Sequence, residues 1–250
     1  MKNLFNLDNP FFTFLSGVAD MMILNALFII CSLPVFTIGA SFTAMSYVTL
    51  KKAEGADVYI ARGFFYSFKQ NFRQATLIWL MMMAMMLILW ADFRITGSMS
   101  GTAVTVLRGL LYLAFIIWIM VFLYVFPILA RFSNTVMGTL KNGAMAAFAN
   151  APKALFTIVV IIATVAVTMW NQNTLVWGLL VWILCGFAVL AYINSLMQRK
   201  LIRRMMPPEE EEEPVSDMDW RAPDLPADAL RPDPPRENAA PNASEDDLTS

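Results

Sequence analysis

Few residues in this chain are equipped for chemistry, and their spacing narrows what they do. There is no histidine among the 250 residues, which removes the commonest general base, the usual proton switch near neutral pH and the commonest transition-metal ligand. Cys31 and Cys185 both fall inside long apolar stretches, where a thiol behaves as a small hydrophobe, so no disulfide or redox pair is expected. Met81, Met82, Met83, Met85 and Met86 form a thioether cluster of the kind that can hold copper(I). With no cysteine or histidine beside it, adaptable packing is its expected use. The sequence contains no glycine-rich nucleotide loop, catalytically spaced carboxylate pair, nucleophile elbow, zinc spacing or nucleic-acid motif. The expectation is a non-enzyme with no catalytic residue, cofactor, metal or nucleic-acid partner.

The remaining polar groups are of the sort that line paths or tie helices together. Asn25 sits deep in an apolar run, where an interhelical hydrogen bond is its default use. Asp20, Asp92 and Arg94 lie near the outer ends of their runs, at solvated depths. The run Leu33-Pro34-Val35-Phe36-Thr37-Ile38-Gly39 joins a helix breaker to a flexible glycine. A break at membrane depth can line a binding site, with Pro34, Thr37, Gly39, Ser41 and Thr43 as path-lining candidates. The plainer alternative is a span that ends at Leu33 and turns into a surface helix. From Asp57 to Phe72, Ile60, Phe64, Phe68 and Phe72 gather on one helical face and Arg62, Lys69 and Arg73 on the other. That pattern predicts an interfacial helix flat on the inner leaflet. Ser67, Phe68, Lys69, Asn71 and Arg73 are its candidate contacts for a partner protein or an anionic lipid.

These groups must be positioned by elements that live in a bilayer. At 58% hydrophobic and 15% charged, the chain lies far from a soluble domain's ~25% charged residues. Five apolar stretches, about 16–33, 75–91, 104–130, 155–170 and 175–196, each approach the ~20 residues that span ~30 Å of hydrocarbon. Residues 38–50 are too short and too hydroxylated to count as a sixth. The small-residue segment from Thr139 to Pro152 predicts a second interfacial helix. The fold class expected is an all-α polytopic membrane bundle.

Charge divides the chain into two bodies. Residues 1–206 carry 15 basic and 5 acidic residues, whereas 207–250 carry 3 basic and 14 acidic. The first is read as the transmembrane helical domain and the second as a disordered acidic cytoplasmic tail, since Glu209 to Glu213 and repeated prolines leave too little apolar surface to offset ordering entropy. Twelve basic residues fall on alternate connections and after the last span, against Lys2, Arg94 and Arg108 on the others. The positive-inside rule then places the C-terminus in the cytoplasm of a bacterial inner membrane and, with five spans, the N-terminus outside.

Asn25, the stretch Cys31-Ser-Leu-Pro-Val-Phe-Thr-Ile-Gly-Ala-Ser-Phe-Thr-Ala44, the stretch Phe65-Tyr-Ser-Phe-Lys-Gln-Asn-Phe-Arg-Gln-Ala75, and Phe126-Pro127 followed by Ala130-Arg131-Phe132 resemble the YesL family of small bacterial integral membrane proteins of unknown function. The resemblance covers about Asn3 to Arg204. Ala40 stands where many relatives have proline, and the acidic tail lies outside the likeness. The resemblance implies a setting in complex-carbohydrate uptake, beside sugar ABC importers and glycoside hydrolases, and brings no catalytic residue with it. The expected function is an accessory or regulatory component of ABC-type carbohydrate uptake, with the lipid bilayer, importer subunits and a homo-oligomer as partners. The alternative is an oligomeric small-solute carrier or channel, and a membrane-embedded enzyme ranks last.

Overall fold

Apolar runs of this length must satisfy their backbone groups internally once in lipid. The computed structural model describes residues 10–205, and among them there are helices and turns but no strand. The helices are α1 (Pro10–Cys31), α2 (Ile38–Ala53), α3 (Ile60–Gly97), α4 (Thr102–Leu129), α5 (Val136–Ala149), α6 (Ala151–Thr168), α7 (Gln172–Val181) and α8 (Phe187–Met205). A 3-10 turn, Val35–Thr37, leads into α2, and a π-helical turn, Trp182–Gly186, joins α7 to α8 without a break. Local chemistry sets several of the ends. Gly55 takes the left-handed conformation just after α2, with φ 84°. Thr135 caps α5 by accepting from the Gly138 amide, and Asn171 and Thr174 form a reciprocal capping box at the start of α7.

Five helical stretches are long and apolar enough to cross a membrane: Phe14–Cys31, Ile60–Gly97, Thr102–Leu129, Ala151–Thr168 and the continuous Gln172–Met205. Their exposed faces are rich in Leu, Ile, Val, Met and Trp. The chain is a multi-pass membrane protein whose helices contact lipid. The expected acidic tail and the boundary at residue 206 lie outside the described residues.

α2 is the main departure from expectation. It is not a surface helix but the most enclosed element, with every residue from Gly39 to Lys51 buried except Phe42. Ala44, Met45, Tyr47 and Val48 share a core with Leu24 and Phe28 of α1, Ile60 and Phe64 of α3, and Ala188 and Ala191 of α8. Its hydroxyls made the segment read as polar, yet Thr43 donates to the Gly39 carbonyl at 2.8 Å and Thr49 to that of Met45 at 2.9 Å. A hydroxyl that bonds back to its own helix can be buried at little cost.

The contacts of α2 also fix how the neighbouring helices run. Phe28 meets Phe42 and Asp20 pairs with Lys52, so α1 and α2 are antiparallel. Gly39 lies on Ala75 and Trp79 while Tyr47 meets Tyr66, so α2 and α3 are antiparallel as well. α8 descends alongside α2, with Ser195 at Thr49 and Arg199 at Ala53. The start of α1 and the end of α8 therefore lie at the same end of the bundle. Asp20, expected at the outer side, is at the basic end instead.

The flat interfacial helix expected over Asp57 to Phe72 is also revised. Residues from Ile60 onward are the first part of α3, a single helix of 38 residues, or about 57 Å at 1.5 Å per residue. The face carrying Ile60, Phe64 and Phe68 packs on α2 and α1 rather than on lipid, and Phe64 is fully buried. Periodicity correctly identified a sided helix, but an apolar face has the same period whether lipid or another helix covers it. α5 does form where a second short helix was expected, and it lies against α4, with Gly143 packed directly on Val125.

Candidate functional site: the turned hairpin and a buried polar seam

The segment from Pro34 to Gly39 is a tightly packed turn. The Thr37 hydroxyl lies 2.6 Å from the carbonyl oxygens of both Cys31 and Pro34, closing the exposed end of α1. Trp79 Nε1 donates to the Val35 carbonyl at 2.9 Å, fastening the turn to α3. A Cβ added at Gly39 would stand 2.5 Å from Trp79 Cβ and 2.6 Å from the Ala75 carbonyl oxygen, so only glycine permits this approach. Ser41 is fully buried, and its Oγ makes no hydrogen bond among the described residues. Pro34, with Leu33, Val35 and Phe36, is exposed on the outside of the turn. The path-lining candidates Thr37, Gly39, Ser41 and Thr43 are thus all buried at helix contacts.

Asn25 is fully buried and makes the interhelical bond expected of it, in an unusual form. Its Nδ2 donates to the carbonyls of Trp182 at 3.0 Å and Ile183 at 2.7 Å, while its Oδ1 accepts from the Ala188 amide at 3.1 Å. Trp182 and Ile183 belong to the π-helical turn and Ala188 to the first turn of α8 just beyond it, where i to i−4 pairing is interrupted. One side-chain amide supplies both a donor and an acceptor to the opening in the helix.

A second seam joins α4 to α8. Pro127 lies inside α4 and has no N–H to offer the carbonyl four residues back, that of Leu123. Gln198 Nε2 donates to the Leu123 oxygen at 2.9 Å and Asn194 Nδ2 at 3.2 Å, with Gln198 Nε2 also 2.9 Å from Asn194 Oδ1. One turn away, Thr49 and Ser195 hydroxyls are 2.8 Å apart between α2 and α8. All four of these side chains are buried. Sequence reasoning missed Asn194, Ser195, Gln198 and Thr49. The available signal was an intramembrane proline together with two amides four residues apart on another apolar helix, since a freed carbonyl needs a donor in lipid.

The partner candidates on α3 separate into two groups. Ser67 is buried, Asn71 donates to the Ser67 carbonyl at 3.1 Å, and Phe68 lies between the rings of Phe64 and Phe72. Lys69 and Arg73 are exposed. At the basic end, Lys52 pairs with Asp20, Arg131 with Glu54, and Arg199 donates to the Ala53 carbonyl at the end of α2. At the other end, Arg108 donates to the carbonyls of Thr96, Gly97 and Met99 where α3 stops. Cations at helix C-termini satisfy orphan carbonyls and complement the dipole. Met81 and Met85 are exposed and Met82 is buried on α3.

Chemically, the seam consists of carboxamides and hydroxyls, which neither give nor take protons near neutral pH. Its function is to hold helices in register. Residues 21–93, which contain the second half of α1, all of α2 and nearly all of α3, match the family model described as "Protein of unknown function, DUF624". Over 141 residues the chain is 30% identical to the "Uncharacterized protein YesL" of Bacillus subtilis (strain 168). That match covers 56% of this chain and 66% of the relative's length. No solved structure matches. Together, the family match across the hairpin and α3 and the Bacillus relative make this chain YesL-like, with a DUF624 segment at residues 21–93.

Proposed function

We propose that this chain is a non-enzymatic accessory or regulatory component of ABC-type carbohydrate uptake, acting through contacts with importer subunits rather than through a path of its own. The observation that carries this reading is the fit at Gly39. A carrier needs polar groups facing a passage, and the best candidate for one is closed by direct contact of Gly39 with Ala75 and Trp79. The carbohydrate setting comes from the YesL likeness. In this reading the end shared by the start of α1 and the end of α8 faces the cytoplasm of a bacterial inner membrane, an orientation supported by the positive-inside rule and the exposed Arg62, Arg199, Lys200, Arg203 and Arg204. α5 then lies near the inner membrane surface, with Met137, Met145 and Phe148 exposed to lipid and Lys141 toward headgroups.

The test is in-cell crosslinking followed by identification of the proteins recovered, run beside flux measurements on purified protein in liposomes. Recovery of importer subunits without flux of sugars or ions supports the accessory role. Flux from the purified chain alone overturns it in favour of an oligomeric carrier.

A further inference from the structure

α3 serves as a ruler for membrane depth. No charged residue lies between Arg73 and Asp92, a rise of about 28 Å along the helix, close to the ~30 Å of a bilayer's hydrocarbon. Leu77, Leu80, Met81, Met85 and Ile88 are exposed within this interval, whereas Arg62, Lys69 and Arg73 are exposed before it. α4 has a matching uncharged interval, from Arg108, which binds the carbonyls at the end of α3, to Arg131, which pairs with Glu54. The turn between α1 and α2 meets the ruler at Trp79, whose Nε1 donates to the Val35 carbonyl at 2.9 Å and whose Cβ crowds Gly39. Trp79 lies about 9 Å beyond Arg73 and about 20 Å short of Asp92. Helical side chains lean toward the helix N-terminus, so the contact is no nearer to Asp92 than the Trp79 backbone is. Phe14–Cys31 is long enough to cross a bilayer, yet its far end is fastened well short of the opposite boundary.

We infer that α1 and α2 form a re-entrant hairpin, which enters the hydrocarbon from the end where α8 finishes, turns inside it at Leu33 to Phe36, and leaves on the same side with lipid acyl chains covering the turn. Irregular backbone is tolerated at such depth only where the protein satisfies it. Here the Thr37 hydroxyl serves the carbonyls of Cys31 and Pro34, Trp79 serves that of Val35, and Pro34 brings no N–H. The outside of the turn, Leu33, Pro34, Val35 and Phe36, is exposed and wholly apolar. It stands beside Trp79, between the exposed Leu77 and Leu80, so the lipid-facing surface of α3 continues over it. The bilayer is then crossed by the other four apolar stretches, α3, α4, α6 and the continuous α7 and α8.

Spin labels at Phe36→Cys, Leu80→Cys and Ser98→Cys test this in the full chain lacking Cys31 and Cys185, reconstituted in vesicles of phosphatidylcholine and phosphatidylglycerol. All three positions are exposed, so a label displaces no packed side chain. Accessibility to oxygen and to a water-soluble nickel chelate reads the depth of each label. The expected result is high oxygen accessibility at Phe36, matching Leu80, with nickel accessibility severalfold below that at Ser98. In the doubly labelled chain, positions 36 and 98 should be separated by about 28 Å or more, the rise from Trp79 to Ser98. Nickel accessibility at Phe36 equal to that at Ser98, with a much shorter separation, would show that the hairpin reaches the far surface and overturns the inference. The same nickel accessibility with the long separation would place the turn in water on the near side, and overturns it equally.

Discussion

Gln198 Nε2 donates at 2.9 Å to the carbonyl oxygen of Leu123, the acceptor that the proline at 127 leaves open in α4. A helix broken chemically at one position is thus completed by a side chain from another helix. The pairing makes α8 part of the structure of α4, and it explains why a proline is tolerated at a buried contact.

This relationship is testable as a thermodynamic cycle. Gln198→Leu removes one of two donors to Leu123 and is expected to lower stability by about 1–2 kcal/mol, at the upper end for interhelical bonds in membranes. In a Pro127→Ala background, the restored N–H satisfies Leu123, and the same substitution should cost distinctly less. Equal losses in both backgrounds, read by thermal unfolding in detergent, would show that Gln198 acts by packing alone.

Asn25 should be the most sensitive polar residue in α1. Asn25→Leu removes two hydrogen bonds to the π-helical turn and one to the start of α8, and a loss of about 2–3 kcal/mol is expected because buried backbone groups are left unpaired. Asn25→Asp retains the acceptor but not the donors, and it should not rescue stability. Thermal unfolding of the purified variants measures both; a neutral Asn25→Leu would contradict the role of the clamp.

Two glycines make opposite predictions for the same change. Gly39→Ala forces a methyl group onto the Ala75 carbonyl and the Trp79 side chain, with an expected loss of about 1–3 kcal/mol from overpacking. Gly17, also helical, has nothing within 4 Å of an added Cβ, so Gly17→Ala should be neutral or stabilising by up to about 1 kcal/mol through helix propensity. Expression level and melting temperature, compared side by side, separate the two cases.

The stretches that cross the membrane were legible from apolar length, because lipid imposes a simple requirement on chain composition. α2 was not. Its Ser41, Thr43, Ser46 and Thr49 resemble surface residues by type, and only the contact partners reveal that the threonines bond to their own backbone while alanines and glycine allow close packing. The first part of α3 was recognised as sided but given the wrong cover, since Phe64 meets Tyr47 and Val48 of α2 rather than acyl chains. Asn25 was identified as an interhelical bond, but its partner, a π-helical turn about 160 residues on, leaves no mark in local periodicity. Pro127 was visible, whereas Asn194 and Gln198 gain their meaning only from its carbonyl.

The antiparallel hairpin of α1 and α2 is the feature on which the rest depends, since it brings the start of α1 to the same end of the bundle as the end of α8. Single cysteines at Asn3, Ser98 and Ser216, in a background lacking Cys31 and Cys185, test it by labelling intact cells with an impermeant thiol reagent. The expected result is labelling at Ser98 alone, in the turn between α3 and α4, with positions 3 and 216 reacting only after the cells are opened. Labelling at position 3 in intact cells, with position 216 protected, would contradict the hairpin.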